Sequence, residues 1–446
     1  MKIVADENIP FVAECFSSIG EVETISGREI TPDVVADADV LLVRSITRVD
    51  SSLLAESRVR FVGTATIGLD HIDVDFLRQR NIGFASAPGS NANSASEYVI
   101  AALLKIGRKH SLRLEGKSIG IVGVGNVGSR VAKKCAALGM KVYLNDPPLQ
   151  RRVAASSAAW RWPSPSPSLR DEAATQSKYL PIEELFDCDF TTLHTPLTFE
   201  GIDKTFRLAD ERFFNSLKAG SVLINTSRGG VVDSSALKAS IETGSLKAVV
   251  LDVWENEPNI DTELLQMVDI GTPHIAGYSL DGKVTGMIMI YKAVCEYFGF
   301  NAKFDVESFL PEPAVPELRI NPSSGSEQDV LLAAVEEIYN ISEDDHKLRQ
   351  IADKPEEGRG VFFDDLRKNY PVRREFKNTK VLIATPLRPQ GYAGQAEGTE
   401  SSEKVDSRWS LSRTTLRGGN DTSRAEAIAK KLAGIGFKEV KIKEEG

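Results

Sequence analysis

The strongest constraint on this chain is a glycine pattern. Residues 117–128 read KSIGIVGVGNVG, placing Gly-x-Gly-x-x-Gly at Gly123, Gly125 and Gly128. The pattern alone recurs by chance, but its setting is specific. An apolar, strand-like run at 118–122 leads straight into it, and a helix-compatible stretch at 128–138 follows. Strand, glycine turn and helix in that order form the phosphate-cradling corner of a doubly wound parallel sheet. Gly123 permits the tight turn, Gly125 lets backbone approach a pyrophosphate, and Gly128 lets the helix pack close to the strand. Asn126 and Val127 complete the loop, and the helix N-terminus offers free N–H groups to an anion. The next strand, expected at 141–144, runs into Asn145 and Asp146. A carboxylate there accepts hydrogen bonds from ribose hydroxyls and repels a 2′-phosphate, so the expected cofactor is NAD and not NADP.

The rest of the chain repeats the same rhythm. Strand-like runs at 2–5, 40–43 and 60–63 alternate with polar, helix-compatible segments, and a helix is expected at 94–109. A second series follows, with strands at 118–122, 141–144, 189–193, 221–225, 248–252 and 269–271. Helices fit 128–138, 211–216 and 235–243. Alternation of this kind predicts α/β architecture with two doubly wound, Rossmann-like parallel-sheet domains. The final third reads as a separate small α+β unit, with helices at 328–339, 344–351, 361–370 and 423–435 and strands at 380–384 and 439–442. The expected division is a substrate-binding domain at 1–93 with 278–300, a cofactor domain at 94–277, and a C-terminal domain at 301–446. Two stretches break the rhythm. Residues 151–177 are rich in Ala, Ser, Pro and Arg, and residues 389–420 in Gly, Ser, Thr and charge. Both read as exposed, irregular insertions.

Composition narrows the functional classes. A net charge of -9 argues against a nucleic-acid binder, while a local arginine cluster can still hold a small anion. No apolar run reaches the roughly 18 residues of a membrane span. The four cysteines are scattered without a C-x-x-C pair, and each reads as a small buried apolar residue. No metal is assigned. With no signal-peptide pattern at residues 1–5, a reduced, cytoplasmic compartment is the expectation.

Three segments that follow strands of the second series supply polar chemistry. Asn225-Thr226-Ser227-Arg228 presents a guanidinium between a strand end and Gly229-Gly230, a geometry suited to forking onto a carboxylate. Segment 251–258, LDVWENEP, ends a strand with several acids, including Asp252 and Glu257. Thr272-Pro273-His274 follows the last strand. Glu257 bonded to His274 would fix the imidazole tautomer and poise it to move a proton near neutral pH. His71, His110, His194 and His346 lack such a setting and read as structural or peripheral. A base, a carboxylate clamp and a nicotinamide are what hydride transfer at the carbinol carbon of a 2-hydroxy acid requires.

In this order and spacing, the glycine loop and the Arg228, Glu257 and His274 segments resemble the D-2-hydroxyacid dehydrogenase family. The likeness extends to IVADENIP at 3–10, LVRSIT at 42–47, TATIGLDH at 64–71, APGSNA at 87–92 and DIGTPHIAGY at 269–278. It is closest to a member whose substrate is a phosphorylated 2-hydroxy acid. FDDLRKNYP at 363–371 and RREF at 373–376 resemble that member's C-terminal dimerisation domain, implying a homodimer. The resemblance implies catalytic roles for Arg228, Glu257 and His274, the last as proton donor or acceptor. It implies cofactor contacts at Asp146, Thr195, Asp252 and Gly277, and substrate contacts at Ser45, Thr66 and Tyr278. Arg44, beside Ser45, is a further candidate for holding a phosphate. The two insertions depart from the family pattern. The competing readings are a sibling enzyme acting on 3-phosphoglycerate or glycerate, and an NAD-sensing regulator without turnover.

Overall fold

The computed structural model describes residues 1–156, 179–386 and 420–445. The first ninety residues form strands β1 (Lys2–Asp6), β2 (Glu21–Ile25), β3 (Val40–Val43), β4 (Phe61–Thr64) and β5 (Gly83–Ser86). They build one parallel sheet in the order β2-β1-β3-β4-β5. The central strands β3 and β4 are buried along their whole length, as expected where helices cover both faces of a parallel sheet. Strands β2 and β5 escape a reading by apolar runs. β2, EVETI, lies at the sheet edge with mostly exposed side chains, and β5, GFAS, is only half-buried.

The second sheet comprises β6 (Ser118–Val122), β7 (Lys141–Asn145), β8 (Phe190–Leu193), β9 (Ser221–Asn225), β10 (Leu246–Leu251) and β11 (Ile270–Gly271). Its order is β11-β10-β9-β8-β6-β7, all parallel. Chain direction across the sheet therefore reverses between β6 and β8, the point at which open α/β sheets bind ligands. The first sheet has its own reversal between β1 and β3.

Strands β12 (Glu317–Ile320), β13 (Lys380–Pro386) and β14 (Val440–Glu445) form a third, parallel sheet. β12 escaped the sequence reading because ELRI is short and half charged. The final third packs against the second sheet's layer. Val330, Leu331 and Val335 of helix Glu327–Ile338, together with Phe376 and Ile428, belong to one buried cluster with Ile119, Ile121 and Val131 of the second sheet's layer. Leu348, Ile351 and Phe363 join a second cluster with Leu223 and Trp254. The insertion expected at 151–177 is corrected at its start. Helix Pro147–Ser156 takes in its first six residues, begun by Pro147 at a position where its missing N–H costs nothing and by Asp146, which accepts from the Leu149 N–H at 2.9 Å. The rest of that insertion, and residues 389–419 of the other, lie outside the described residues.

Two helices join the first two sheets. Helix Ala92–Lys109 leaves the first sheet and runs buried beneath the second, and helix Leu280–Phe298 returns to pack Val284, Met287 and Ile290 on the first sheet. Their N-terminal turns meet around segment 373–376. Asp281, fully buried, accepts from Arg374 Nε at 2.9 Å, Asn378 Nδ2 at 2.9 Å and the Glu375 N–H at 3.1 Å. Glu375 accepts from Asn93 Nδ2 at 2.9 Å, and Arg373 donates to the Ala276 carbonyl at 2.9 Å. Burial alone would raise the Asp281 carboxyl, but the Arg374 and Asn378 hydrogen bonds outweigh it and hold the group below its ordinary value.

Asp281→Ala leaves a buried guanidinium and a backbone N–H without their acceptor and is expected to cost about 3–5 kcal/mol, read as a drop in the denaturant midpoint. A depressed carboxyl stabilises above its unfolded value and loses that contribution as acid carries it through the folded one. The gap between the native chain and Asp281→Asn should therefore narrow below about pH 4. A gap that stays constant down to pH 2 would show that ionisation of Asp281 is irrelevant.

Candidate active site

The glycine loop leaves β6 at the reversal point. Gly123 adopts φ 87°, and a Cβ there would strike the His194 backbone at 2.8 Å. A Cβ on Gly128 would lie 2.0 Å from the Gly123 carbonyl oxygen, so both positions are closed to any side chain. A Cβ on Gly125 would meet nothing within 4 Å, so the backbone there is open to a phosphate. Helix Asn126–Ala137 starts here, its first turn free of acidic residues. Asp146 stands at the end of β7 and accepts from the Val124 N–H at 2.8 Å, which fastens the carboxylate to the loop. Thr195 follows β8, and its Oγ1 is buried without a hydrogen-bond partner. A polar atom orphaned beside an open glycine loop fits a ligand that supplies the missing partner. The residues present therefore suit a dinucleotide.

On the same edge of the sheet, His274 and Glu257 meet. His274 Nδ1 lies 2.7 Å from Glu257 Oε2, while Glu257 Oε1 accepts from the Trp254 N–H at 2.8 Å. The imidazole Nε2 is left for a substrate. Burial pushes the Glu257 carboxyl up, but His274, the Trp254 N–H and the Arg367 charge outweigh it, and Glu257 stays below the usual carboxylate range. His274 itself sits at φ 55°, a left-handed backbone that a histidine adopts only when its surroundings impose it. The imposing group is Asp252. Its Oδ1 accepts from Thr272 Oγ1 at 2.7 Å and the Ile275 N–H at 2.8 Å, and its Oδ2 from the Ala276 N–H at 2.9 Å. The His274 N–H donates to the Asp252 carbonyl at 2.7 Å. Asp252, read from the resemblance as a cofactor contact, thus spends both carboxylate oxygens on the loop that carries His274. Tyr98, whose hydroxyl is 2.7 Å from Thr272 Oγ1, and Trp254, whose indole donates to the Thr272 carbonyl at 2.9 Å, brace that loop further. Sequence reasoning missed both because neither titrates near neutrality.

Arg228 leads into the short 3-10 turn Gly229–Val231, after Asn225 folds its side chain back onto Ser227. Its guanidinium reaches the first sheet. Nε lies 3.7 Å from Asp70 Oδ2, and a Cβ on Gly68 would come within 2.7 Å of Nη2. The loop it meets, after β4, carries Thr66, whose Oγ1 is 2.8 Å from Thr64 Oγ1. Because β3 and β4 pair with Val43 opposite Thr64, Arg44 and Ser45 emerge beside Thr66. Gly277 packs against Asn91, whose Nδ2 a Cβ there would meet at 2.1 Å, and Tyr278 follows. Arg228 thus meets the loop after β4 from the other sheet, Thr66, Ser45 and Arg44 lie at neighbouring strand ends of the first sheet, and Tyr278 follows the loop that carries His274. The remaining histidines lie outside the His274–Glu257 pair. His194 Nδ1 and Nε2 face Thr226 and Thr192, burial lowering its pKa to about 3. His71 bonds Thr64, His110 bonds Asp269, and His346 is exposed. All four cysteines are free and buried.

Comparison with known proteins gives the same reading. Residues 104–276 match the family model described as D-isomer specific 2-hydroxyacid dehydrogenase, NAD binding domain. Residues 309–388 match one described as a domain of unknown function, DUF3410. The chain is 44% identical over 384 residues to an erythronate-4-phosphate dehydrogenase of Marinobacter nauticus, covering 86% of this chain and 95% of that protein. It is 42% identical over 382 residues to the same-named protein of Cronobacter sakazakii, covering 85% and 94%. In fold it is similar to D-lactate dehydrogenase from Aquifex aeolicus, solved with NAD and lactic acid (TM-score 0.53, 23% identity, 67% of this chain and 96% of that one). It is likewise similar to NAD-bound 3-phosphoglycerate dehydrogenase of Entamoeba histolytica (TM-score 0.53, 24% identity, 70% and 99%). With a glycine loop built for a dinucleotide, a His–Glu pair beside it and relatives this similar over most of the chain, the protein belongs to the erythronate-4-phosphate dehydrogenase family, among the D-isomer-specific 2-hydroxyacid dehydrogenases.

Proposed function

We propose that this enzyme oxidises 4-phospho-D-erythronate to 3-hydroxy-2-oxo-4-phosphobutanoate with NAD, a step of pyridoxal 5′-phosphate biosynthesis. The observation that carries the reading is the Glu257–His274 pair, 2.7 Å apart, on the edge of the sheet that bears the dinucleotide loop. Gly123, Gly125, Asn126, Val127 and Gly128 would hold the pyrophosphate, Asp146 the ribose, and Thr195 and Gly277 the nicotinamide end. Bound there, NAD supplies the acceptor for the hydride that leaves C2. The chain's own residues do the rest. Arg228 forks onto the substrate carboxylate, and Ser45, Thr66 and Tyr278 orient the remainder. His274 Nε2 takes the proton of the C2 hydroxyl, and Glu257, ionised and bonded to Nδ1, stabilises the imidazolium that results. Asp252 keeps His274 in position and adds to the cofactor site.

The same reading divides the chain into a substrate domain at 1–93 with 278–300, a cofactor domain at 94–277, and a C-terminal domain at 301–446. It makes the enzyme a cytoplasmic homodimer assembled through the C-terminal domain, which exposes Val361 and Val372. Among the described residues no helix is long and apolar enough to cross a membrane.

The deciding assay follows NADH absorbance with 4-phospho-D-erythronate, 3-phosphoglycerate and D-glycerate in parallel, with a trap for the 2-oxo acid. Preferred turnover of the first is expected; turnover of another acid alone would keep the chemistry and remove the pathway. His274→Ala should lower kcat by about 10²- to 10⁴-fold while NAD still binds in a fluorescence titration. Unchanged turnover in that variant would remove His274 as the proton acceptor. Arg228→Lys replaces a two-pronged clamp by a point charge, and kcat/KM should fall roughly 10- to 100-fold. Retention of full kcat/KM by the lysine variant would refute the bidentate contact.

A further inference from the structure

The roles above account for the carboxylate and the reacting hydroxyl, but assign only Arg44 to the phosphate. Around Tyr278 the structure gathers more positive charge than the oxidation itself needs. Lys283 Nζ, from the first turn of helix Leu280–Phe298, lies 4.5 Å from the centre of the Tyr278 ring. The Arg367 guanidinium, from the last turn of helix Glu356–Lys368, lies 5.9 Å from the same ring. Tyr370 meets that ring edge-on at 5.7 Å.

Lys283 and Arg44 lack counter-charges of their own. Among the described residues no carboxylate pairs with Lys283 or Arg44, and Arg367 has Asp364, from its own helix, at 3.8 Å and the charge of Glu257, which His274 already engages. Arg367 Nε is buried without a hydrogen-bond acceptor. Burial, with Arg44, Arg373 and Arg367 facing it, lowers the Lys283 ammonium to about 8. Arg367 also bears electrostatically on Glu257, so the cluster adjoins the His274–Glu257 pair. Partly buried like charges repel one another strongly, and a phosphate monoester, with nearly two negative charges and three acceptor oxygens, relieves that repulsion.

We propose that Lys283 and Arg367, with Arg44, bind the substrate's phosphate, so that the C-terminal region matched as a domain of unknown function supplies one wall of the active site. This rests on the substrate being a phosphorylated 2-hydroxy acid. Two phosphate-binding residues are thereby assigned that the loop after β3 could not reveal, and specificity for phosphate becomes a property shared by the substrate-side helix and the C-terminal unit.

The test compares full-length Lys283→Gln, Arg367→Gln and the double variant on 4-phospho-D-erythronate and on D-erythronate. Each single change should raise KM for the phosphorylated acid roughly 10- to 100-fold and leave KM for D-erythronate unaltered, with Lys283→Arg restoring most of the loss. Inorganic phosphate should compete with the phosphorylated substrate in the native enzyme and lose potency in the variants. Equal losses on both acids would mean that the cations hold the carboxylate or the fold, and no loss would mean that they hold nothing; either overturns the proposal. A native enzyme that ignores 4-phospho-D-erythronate defeats the functional reading instead. The cluster is then judged by melting of the NAD complex: a rise with inorganic phosphate that the double variant lacks supports it, and no rise overturns it.

Discussion

The site depends on a buried polar junction. Asp281 and Arg374 lie at the point where the two connecting helices begin, and the segment around them touches every layer. Arg374 pairs with Asp281 and also donates to Pro311, Arg373 reaches Ser94 and Ala276, and Glu375 receives Asn93. Removing two charges from water is expensive, and an apolar plug of equal volume would stabilise the fold as well or better. What apolar packing lacks is direction. A guanidinium and a carboxylate with two further donors, the Glu375 N–H and Asn378 Nδ2, accept one geometry, and that geometry sets the angle between the helix leaving the first sheet and the helix returning to it. Arg228 from one sheet can then meet the Gly68 loop of the other.

A second carboxylate does the same at shorter range. Asp252 is buried at the end of β10 and gathers three donors from residues 272–276. Burial raises its carboxyl despite those donors and the nearby His274 charge. The loop would otherwise follow β11 outward. Held in this way, it turns back through a left-handed histidine and delivers His274 to Glu257. Trp254 serves both ends of the arrangement, its backbone N–H on Glu257 and its indole on Thr272. The His–Glu pair is therefore the visible part of a larger hydrogen-bonded frame, most of which never touches substrate.

These facts explain what the sequence disclosed. Strands β3, β6 and β9 are apolar because both faces are covered, so they could be read from runs of Val, Ile and Leu. Strands β2 and β12 lie at sheet edges, carry charge and left no such trace. The glycine loop, Asp146, Arg228, Glu257 and His274 were legible because each chemistry requires a particular residue type just after a strand. Lys283 and Arg367 were not, since a lysine or arginine on a helix is ordinarily a solvated surface residue. Only the packing of helix Glu356–Lys368 against Tyr278 gives Arg367 another meaning. The packing of the C-terminal region was hidden for a related reason. Its own alternation of helices and strands suggests independence, whereas independence is decided by which apolar faces it covers, and it covers the layer beneath β6.

That shared core bears on how such an enzyme distinguishes its substrate. An acidic protein, at a net charge of -9, repels a polyanion at long range, and attraction has to be local. Charges exposed to water are screened within about 8–10 Å, so an effective anion site needs cations that are partly buried. Burying them requires neighbours on several sides. The first sheet offers a loop, the returning helix one side, and the C-terminal unit closes the remainder with Arg367 and Tyr370. Two facing sheets supply a cleft and leave one side of it open, without a wall. Appending a unit that packs into the existing core, and not merely beside it, places that wall with the rigidity of secondary structure, which a surface loop of the same composition would not provide.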